Sequence, residues 1–306
     1  MKLRRFEGNP IITPTKNWWE NKFVSNPGAT RYNGKIVLLY RAQGGDHISR
    51  FGLAVSDDGF NFERFPEPAV DADGVDPYER LGIEDPRITQ IGETYYIFYT
   101  AASVYSAAEA KVKRVFPDPS RPPWRIRTCL LTTKDFKRFD RHGVVFKDVD
   151  TKDSALFSGK IGGKFVLMHR FYPDIHISFS EDLTNWTDYK PFIQVRKESW
   201  DSERLGTGAP PIKTEKGWLL LYHGVDQKHV YRLGLVLLDL KDPTKILYRS
   251  SEPVFEPVEM YEKEGQFPNV VYSAGWIEQE NEFLVYYGAA DRVVGVASLD
   301  KSQLGF

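Results

Sequence analysis

The chain has 306 residues, 41% hydrophobic and 14% aromatic, enough to bury a large core, and its 41 basic and 42 acidic side chains leave a net charge of −1. So balanced a chain excludes a global field for nucleic acid or an anionic membrane, and any anion site must be local. A single cysteine excludes an internal disulfide and a multi-thiolate zinc site, and no run approaches the roughly 18 apolar residues of a membrane span, so the chain reads as soluble and cytoplasmic.

In chain order the first apolar segment is GNPII at 8–12, followed by Trp18 and Trp19, which read as core residues or as a platform for the apolar face of a sugar. Four short strand-like runs then succeed one another: NPGATRY (26–32), KIVLLYRA ending at Ala42, FGLAVSDD (51–58) leading into an acidic turn, and PEPAV. The same succession returns four times. Its second run recurs as TYYIFYTA at Ala101, KFVLMHRF at Phe171, GWLLLYHG at Gly224 and EFLVYYGA at Ala289. From Tyr40 to Tyr287 the period is about 62 residues. Its first run recurs as EDPRITQ (84–90), DSALFSG (153–159), GAPPIKT (208–214) and PNVVYSA (268–274), and its third as RTCLLTTKD, IHISFSED, LGLVLLDLKD and VVGVASLD. Cys129, inside the apolar TCLL, reads as a small buried hydrophobe. Outer runs HGVVF, KPFIQ and SEPVF follow three of the later acidic turns, but the chain ends after the fifth. GNPII fits that missing place. The expectation is an all-β, single-domain, five-bladed β-propeller over residues 1–306, its last blade closed by the N-terminal strand so that no edge is left there.

The main departure from the repeat is an insertion at 103–126, in which Ser106 and Glu109 form a candidate capping box for a short helix. It reads as a surface excursion, or as a lid or a contact of a homo-oligomer near the pocket mouth. The loop GGDHISR (44–50) is of the same kind.

In a propeller the first strand of each blade lines the channel, which brings together Asn26, Glu84 with Asp85, Lys152 with Asp153, Thr207 with Gly208, and Asn269. Aligning the second strands puts Arg41, Thr100, Arg170, His223 and Gly288 at one equivalent position, a local basic set suited to a small anion such as phosphate, or to capping carboxylates across the channel. GIEDPR (82–87) is the most specific local motif: Pro86 fixes the backbone after Asp85, and Arg87 is placed to hold a neighbouring acceptor. Asp291 in AAD is a second candidate carboxylate. No phosphate-cradling glycine motif, GxSxG elbow or HExxH is present, and a metal held by His169, His223 and Asp85 is the weaker reading, so no metal or cofactor is assigned.

SNPGA, YRA, GIEDPR, MHR, TGAPPI, YHGV, PNVV and YYGAAD occur in this order over the five repeats, and with them the chain resembles the mannoside phosphorylases of glycoside hydrolase family 130 along essentially its full length. The resemblance implies inverting phosphorolysis of a β-mannoside to α-mannose 1-phosphate and a shortened acceptor, with inorganic phosphate as co-substrate. It implies that Asp85 is the sole proton donor, acting through the 3-hydroxyl of the mannose, that Asn26 and Asp291 hold that mannose with Arg87 beside them, and that Lys160, Arg170 and His223 bind phosphate with Arg41 close by. One carboxylate beside several bases suits an anionic nucleophile, whereas inverting hydrolysis needs a second carboxylate to activate water. The alternatives are a β-mannoside hydrolase of the same fold and a non-catalytic glycan-binding propeller. β-1,4-Linked mannooligosaccharides are the expected substrates, because the chain is compact.

Overall fold

Short runs of β-branched and aromatic residues separated by Gly, Asp and Asn turns give strands almost throughout the computed structural model, which describes residues 1–112, 123–147 and 149–305. Set apart at the N-terminus is β1 (Arg4–Arg5). Among the described residues the remaining strands form antiparallel meanders. The first contains β2 (Phe23–Tyr32), β3 (Lys35–Gln43), β4 (Ser49–Ser56) and β5 (Glu63–Arg64). Next come β6 (Gly82–Ile91), β7 (Thr94–Val104), β8 (Trp124–Thr133) and β9 (Asp140–Val144). The third has β10 (Lys152–Leu156), β11 (Phe165–Phe171), β12 (Asp174–Ser180) and β13 (Thr187–Ile193). In the fourth, β14 (Arg204–Thr207) and β15 (Ile212–Lys213) both pair with β16 (Trp218–Val225), which continues into β17 (Tyr231–Leu238) and β18 (Ile246–Arg249). The fifth has β19 (Val271–Glu278), β20 (Glu282–Ala289) and β21 (Val293–Asp300), and β1 is its outer strand. The chain is all-β.

The cores lie between meanders. Val37, Phe51, Ile88 and Tyr99 pack the first against the second, and Phe98, Leu130, Leu156 and Leu167 the second against the third. Phe157, Met168, Leu205 and Leu220 join third to fourth, Leu221, Leu235, Val271 and Val285 fourth to fifth, and Val24, Leu38, Leu284 and Val296 fifth to first. Each meander thus buries its two faces against two neighbours, in cyclic order. Cys129 is fully buried in this packing.

A second repeat binds the second strand of a meander to its outermost strand. Tyr40 donates to Glu20 (2.8 Å), Tyr99 to Glu79 (2.5 Å), Tyr222 to Asp201 (3.0 Å) and Tyr287 to Glu262 (3.0 Å). Each buried carboxylate comes from the segment before its meander's first strand and pairs with an arginine of the outermost strand: Arg64, Arg141, Arg249 and Arg5. The third meander departs from this, with His169 at the tyrosine position bonded to Ser178 Oγ at 2.7 Å.

The N-terminal segment does close the last meander, but its ladder runs one turn earlier than GNPII, as Arg4 opposite Ser298 and Arg5 opposite Ala297. Pro10 has no N–H to give. The Asn9 side chain takes over instead, accepting from Val296 N–H and donating to Val296 C=O, both at 2.9 Å, and Ile12 bridges Val294. In the insertion, Ser106 and Glu109 do form reciprocal bonds at the start of α1 (Ala107–Val112). Residues 113–122, the centre of that insertion, lie outside the described residues. Among the described residues no helix is long and apolar enough to cross a membrane.

Candidate active site

The innermost strands share an irregularity. Register breaks between Ser25 and Gly28 in β2, between Glu84 and Arg87 in β6, and between Lys152 and Ala155 in β10. Each bulge carries one residue in the left-handed region, Asn26 (φ 50), Asp85 (φ 53) and Asp153 (φ 56). Asn and Asp enter this region at less cost than other L-residues, and a bulge re-aims a side chain that would otherwise follow the strand alternation. The residue before each bulge faces the second strand: Ser25 opposite Arg41, Glu84 opposite Thr100, Lys152 opposite Arg170. Gly206 opposite His223 and Tyr272 opposite Gly288 complete the series. The equivalence of Arg41, Thr100, Arg170, His223 and Gly288 therefore appears as a shared register, while Tyr272 takes the fifth inner place where the sequence suggested Asn269.

Asp85 is buried and accepts a hydrogen bond from Asn26 Nδ2 at 2.8 Å. Lys152 Nζ lies 3.5 Å from its Oδ2 and Arg41 3.8 Å from its Oδ1. Burial pushes the Asp85 pKa up, but Lys152, Arg41, Asn26 and Arg87 together outweigh it and hold the carboxyl below its usual range. Arg41 also pairs with Glu84 at 2.9 Å and Asp291 at 3.7 Å. Burial, assisted by the charges of Asp85 and Glu84 and opposed by Arg41, raises Asp291 to about 6. Gly288 is required beside Asn26, because a Cβ there would overlap the Asn26 amide oxygen.

Asp153 gathers the other half of the site. Its Oδ1 accepts from Tyr272 Oη at 2.6 Å, and Arg170 NH1 and His223 Nε2 stand 3.3 and 3.6 Å from Oδ2. Burial drives His223 down to about 3, with Asp153 opposing, so its imidazole is neutral at pH 7 and supplies an N–H rather than a charge. The permanent cations are Arg41, Lys152, Arg170 and Arg87.

Two expected site residues fall elsewhere. Lys160 is exposed in the turn after β10, donates to the Glu181 carbonyl at 3.0 Å and lies over the Phe165 ring. Lys152, opposite Arg170 at the start of β10, stands in the cluster instead. Arg87 is buried and its donors are spent on protein: Gly208 C=O (2.8 Å), Asp85 C=O (3.0 Å), Thr207 C=O (2.6 Å) and Tyr272 Oη (2.7 Å). It braces the second meander against the fourth and fifth. His169, bonded to Ser178 and packed among Phe146, Phe171 and His176, does not join His223. Trp19 is core, with Nε1 bonded to Pro66 C=O, and the half-exposed Trp18 lies under the Arg50 guanidinium.

Several buried polar atoms here find no hydrogen-bond partner among the described residues: Asn26 Oδ1, Thr100 Oγ1, Thr207 Oγ1, Asp153 Oδ2 and both His223 nitrogens. Buried groups of this kind are normally satisfied, so a concentration of exceptions on the first and second strands of the meanders marks a place built for a polar ligand.

A family model described as β-1,4-mannooligosaccharide phosphorylase, Glyco_hydro_130, matches residues 2–304. The chain is 44% identical to 1,2-β-oligomannan phosphorylase of Thermoanaerobacter sp. (strain X514), with all of both chains covered. It is also similar to the solved structure of β-1,2-mannobiose phosphorylase from Listeria innocua in complex with β-1,2-mannobiose, with a TM-score of 0.86 at 30% identity over 99% of this chain and 98% of that one. Another solved structure, described with the statement that the GH130 family of mannoside phosphorylases contains glycoside hydrolases that target β-1,2 mannosidic linkages in Candida mannan, gives 0.85 at 29% identity over 98% and 94%.

Proposed function

The chain belongs to glycoside hydrolase family 130, and on that premise we propose that it is a five-bladed β-propeller, one catalytic domain over residues 1–306, that cleaves β-mannosides by inverting phosphorolysis. Five cores in cyclic order support the propeller reading, with β1 as the closing strand. The products are α-mannose 1-phosphate and a shortened acceptor.

The observation that carries the reaction is the juxtaposition of Asp85, flanked by Asn26 and Asp291, with Arg41, Lys152, Arg170 and the neutral His223. In this assignment Asp85 gives the proton that reaches the glycosidic oxygen, and Asn26 and Asp291 hold the mannose. Arg41, Lys152, Arg170 and His223 hold phosphate on the opposite face. Glu84 and Asp153 are engaged by arginines, which disfavours either as the base a hydrolase needs. Asp85 is ionised in the free protein. A phosphate anion beside Lys152 and Arg41 offsets the field that keeps it so, and Asp85 then takes up the proton it later donates.

We take the linkage as β-1,2. The two similar phosphorylases above are named for β-1,2 substrates, and this replaces the β-1,4 preference inferred from compactness. The deciding experiment incubates the protein with β-1,2- and β-1,4-mannobiose, with and without inorganic phosphate, and follows the products by phosphorus NMR. Mannose 1-phosphate formed only with phosphate, and faster from the β-1,2 disaccharide, is the expected result. Free mannose at equal rates in both conditions would mean hydrolysis.

The exchange of Lys160 for Lys152 is testable in the same assay. Losing a charge-assisted contact should raise the KM for phosphate about 10- to 100-fold in Lys152→Ala. Lys160→Ala should leave it unchanged.

A further inference from the structure

Asp153 is an unusual neighbour for an anion site. It is fully buried, and the groups proposed above to hold phosphate converge on it: Arg170 at 3.3 Å, His223 at 3.6 Å and Lys152 at 3.9 Å. Arg87, which is not in that set, stands 3.5 Å away. The fold is built to admit this carboxylate. Its backbone sits in the left-handed region, its Oδ1 is fixed by Tyr272, and residue 206 is glycine, where a Cβ would overlap both Asp153 Oδ2 and the His223 ring. Yet Oδ2, the oxygen facing Arg170 and His223, forms no hydrogen bond among the described residues. The carboxylate is close enough to neutralise Arg170 and Lys152 without being locked to them.

We infer that Asp153 is a positioning residue that acts as an internal anion, competing with phosphate for Arg170 and Lys152 so that the site binds phosphate weakly and releases mannose 1-phosphate. The inference rests on phosphorolysis as the reaction of this site. Charge balance carries it. Arg41, Arg87, Lys152 and Arg170 are set against Glu84, Asp85, Asp153 and Asp291, so an incoming dianion meets a cluster already near neutrality. Burial pushes the Asp153 pKa up, but Arg170, Lys152, Arg87 and His223 outweigh it and keep this competitor ionised at working pH.

The sign of the expected effect separates this role from simple orientation. If Asp153 only held Arg170 and Lys152 in place, removing it would loosen phosphate. If it competes with phosphate, removing its charge tightens phosphate. Asp153→Asn, nearly isosteric and tolerant of the left-handed backbone, is expected to lower the phosphate dissociation constant about 10-fold and to strengthen product inhibition by mannose 1-phosphate in proportion. Asp153→Ser removes the same charge with less bulk and should act in the same direction. Weaker or unchanged phosphate binding in a folded variant overturns the inference. The wild-type protein provides a test that needs no variant: titration calorimetry with inorganic phosphate should give a dissociation constant in the millimolar range, and micromolar binding overturns the inference even if neither variant folds. Mannose release that ignores phosphate would instead remove the phosphorolysis reading, and this inference with it.

Discussion

Asp85→Asn is expected to slow phosphorolysis by about 10³-fold, inside the range by which a positioned general acid accelerates a reaction. The fold should survive, since Asn keeps the shape, tolerates φ 53 and still offers an oxygen to Asn26 Nδ2 at 2.8 Å. What it loses is the proton. The substitution also removes a negative charge 3.5 Å from Lys152 and 3.8 Å from Arg41, so phosphate should bind no more weakly than before. A fall in kcat without a rise in the KM for phosphate therefore identifies a proton donor, whereas a rise in KM with kcat kept would identify a binding residue. The pH profile gives a second reading. A donor must be protonated in the ternary complex, so wild-type activity declines as pH rises through the pKa that Asp85 has beside bound phosphate, and the residual activity of Asp85→Asn lacks that limb. Steady-state rates from pH 5.5 to 8.5, with circular dichroism to confirm folding, check both. More than about a tenth of the activity remaining would place the donor elsewhere, with Asp291, raised to about 6, the next carboxylate to test.

Asn26 and Asp85 could be found in the sequence because each precedes a proline at the same offset from an aligned strand, and Arg41, Arg170 and His223 because the strand after it repeats residue for residue. The structure gives the reason: strand register transmits position without gaps, as in Ser25 opposite Arg41 and Lys152 opposite Arg170. The failures lie where register is broken or absent. Lys160 follows a turn of variable length, across which alignment carries no position, and Tyr272 sits inside a run, PNVVYSA, that reads as an apolar strand. For Arg87, the motif GIEDPR does not reveal which of its donors the backbone carbonyls of Thr207 and Gly208 consume. Glu20, Glu79, Asp201 and Glu262 are not recognisable as a repeat in the sequence, since each lies outside the strands and meets its tyrosine and arginine only after folding. Linkage preference was equally hidden.

Deletion of residues 1–13 is expected to destabilise the protein so far that it is poorly folded at 37 °C, although the segment contributes only the two residues Arg4–Arg5 to a sheet. Leu3 is 7% exposed in the core joining the fourth and fifth meanders, and Ile12 is 2% exposed in the core joining the fifth to the first. Each contributes about 2 kcal/mol of burial. Arg5 is the partner of Glu262, a fully buried carboxylate, at 2.8 Å, and without it that charge is left to Tyr287 and two backbone N–H groups. Stranding one member of a buried pair costs about 3 kcal/mol or more. Losses totalling about 7 kcal/mol are comparable with the whole stability of a typical domain, and β21 would in addition become an open edge prone to pairing between molecules. The single change Arg5→Leu removes the ion pair, together with the contacts of Arg5 to Glu256 C=O and the Phe255 ring, and keeps the segment. It should lower Tm by about 5–10 °C, using the usual scaling for chains of this size. If the truncated protein melts within a few degrees of the full chain, β1 is an ornament on β21 and the fifth meander is held by the inter-meander cores alone. If Arg5→Leu melts low and the truncation fails to fold, the N-terminal strand is an integral part of the fifth meander.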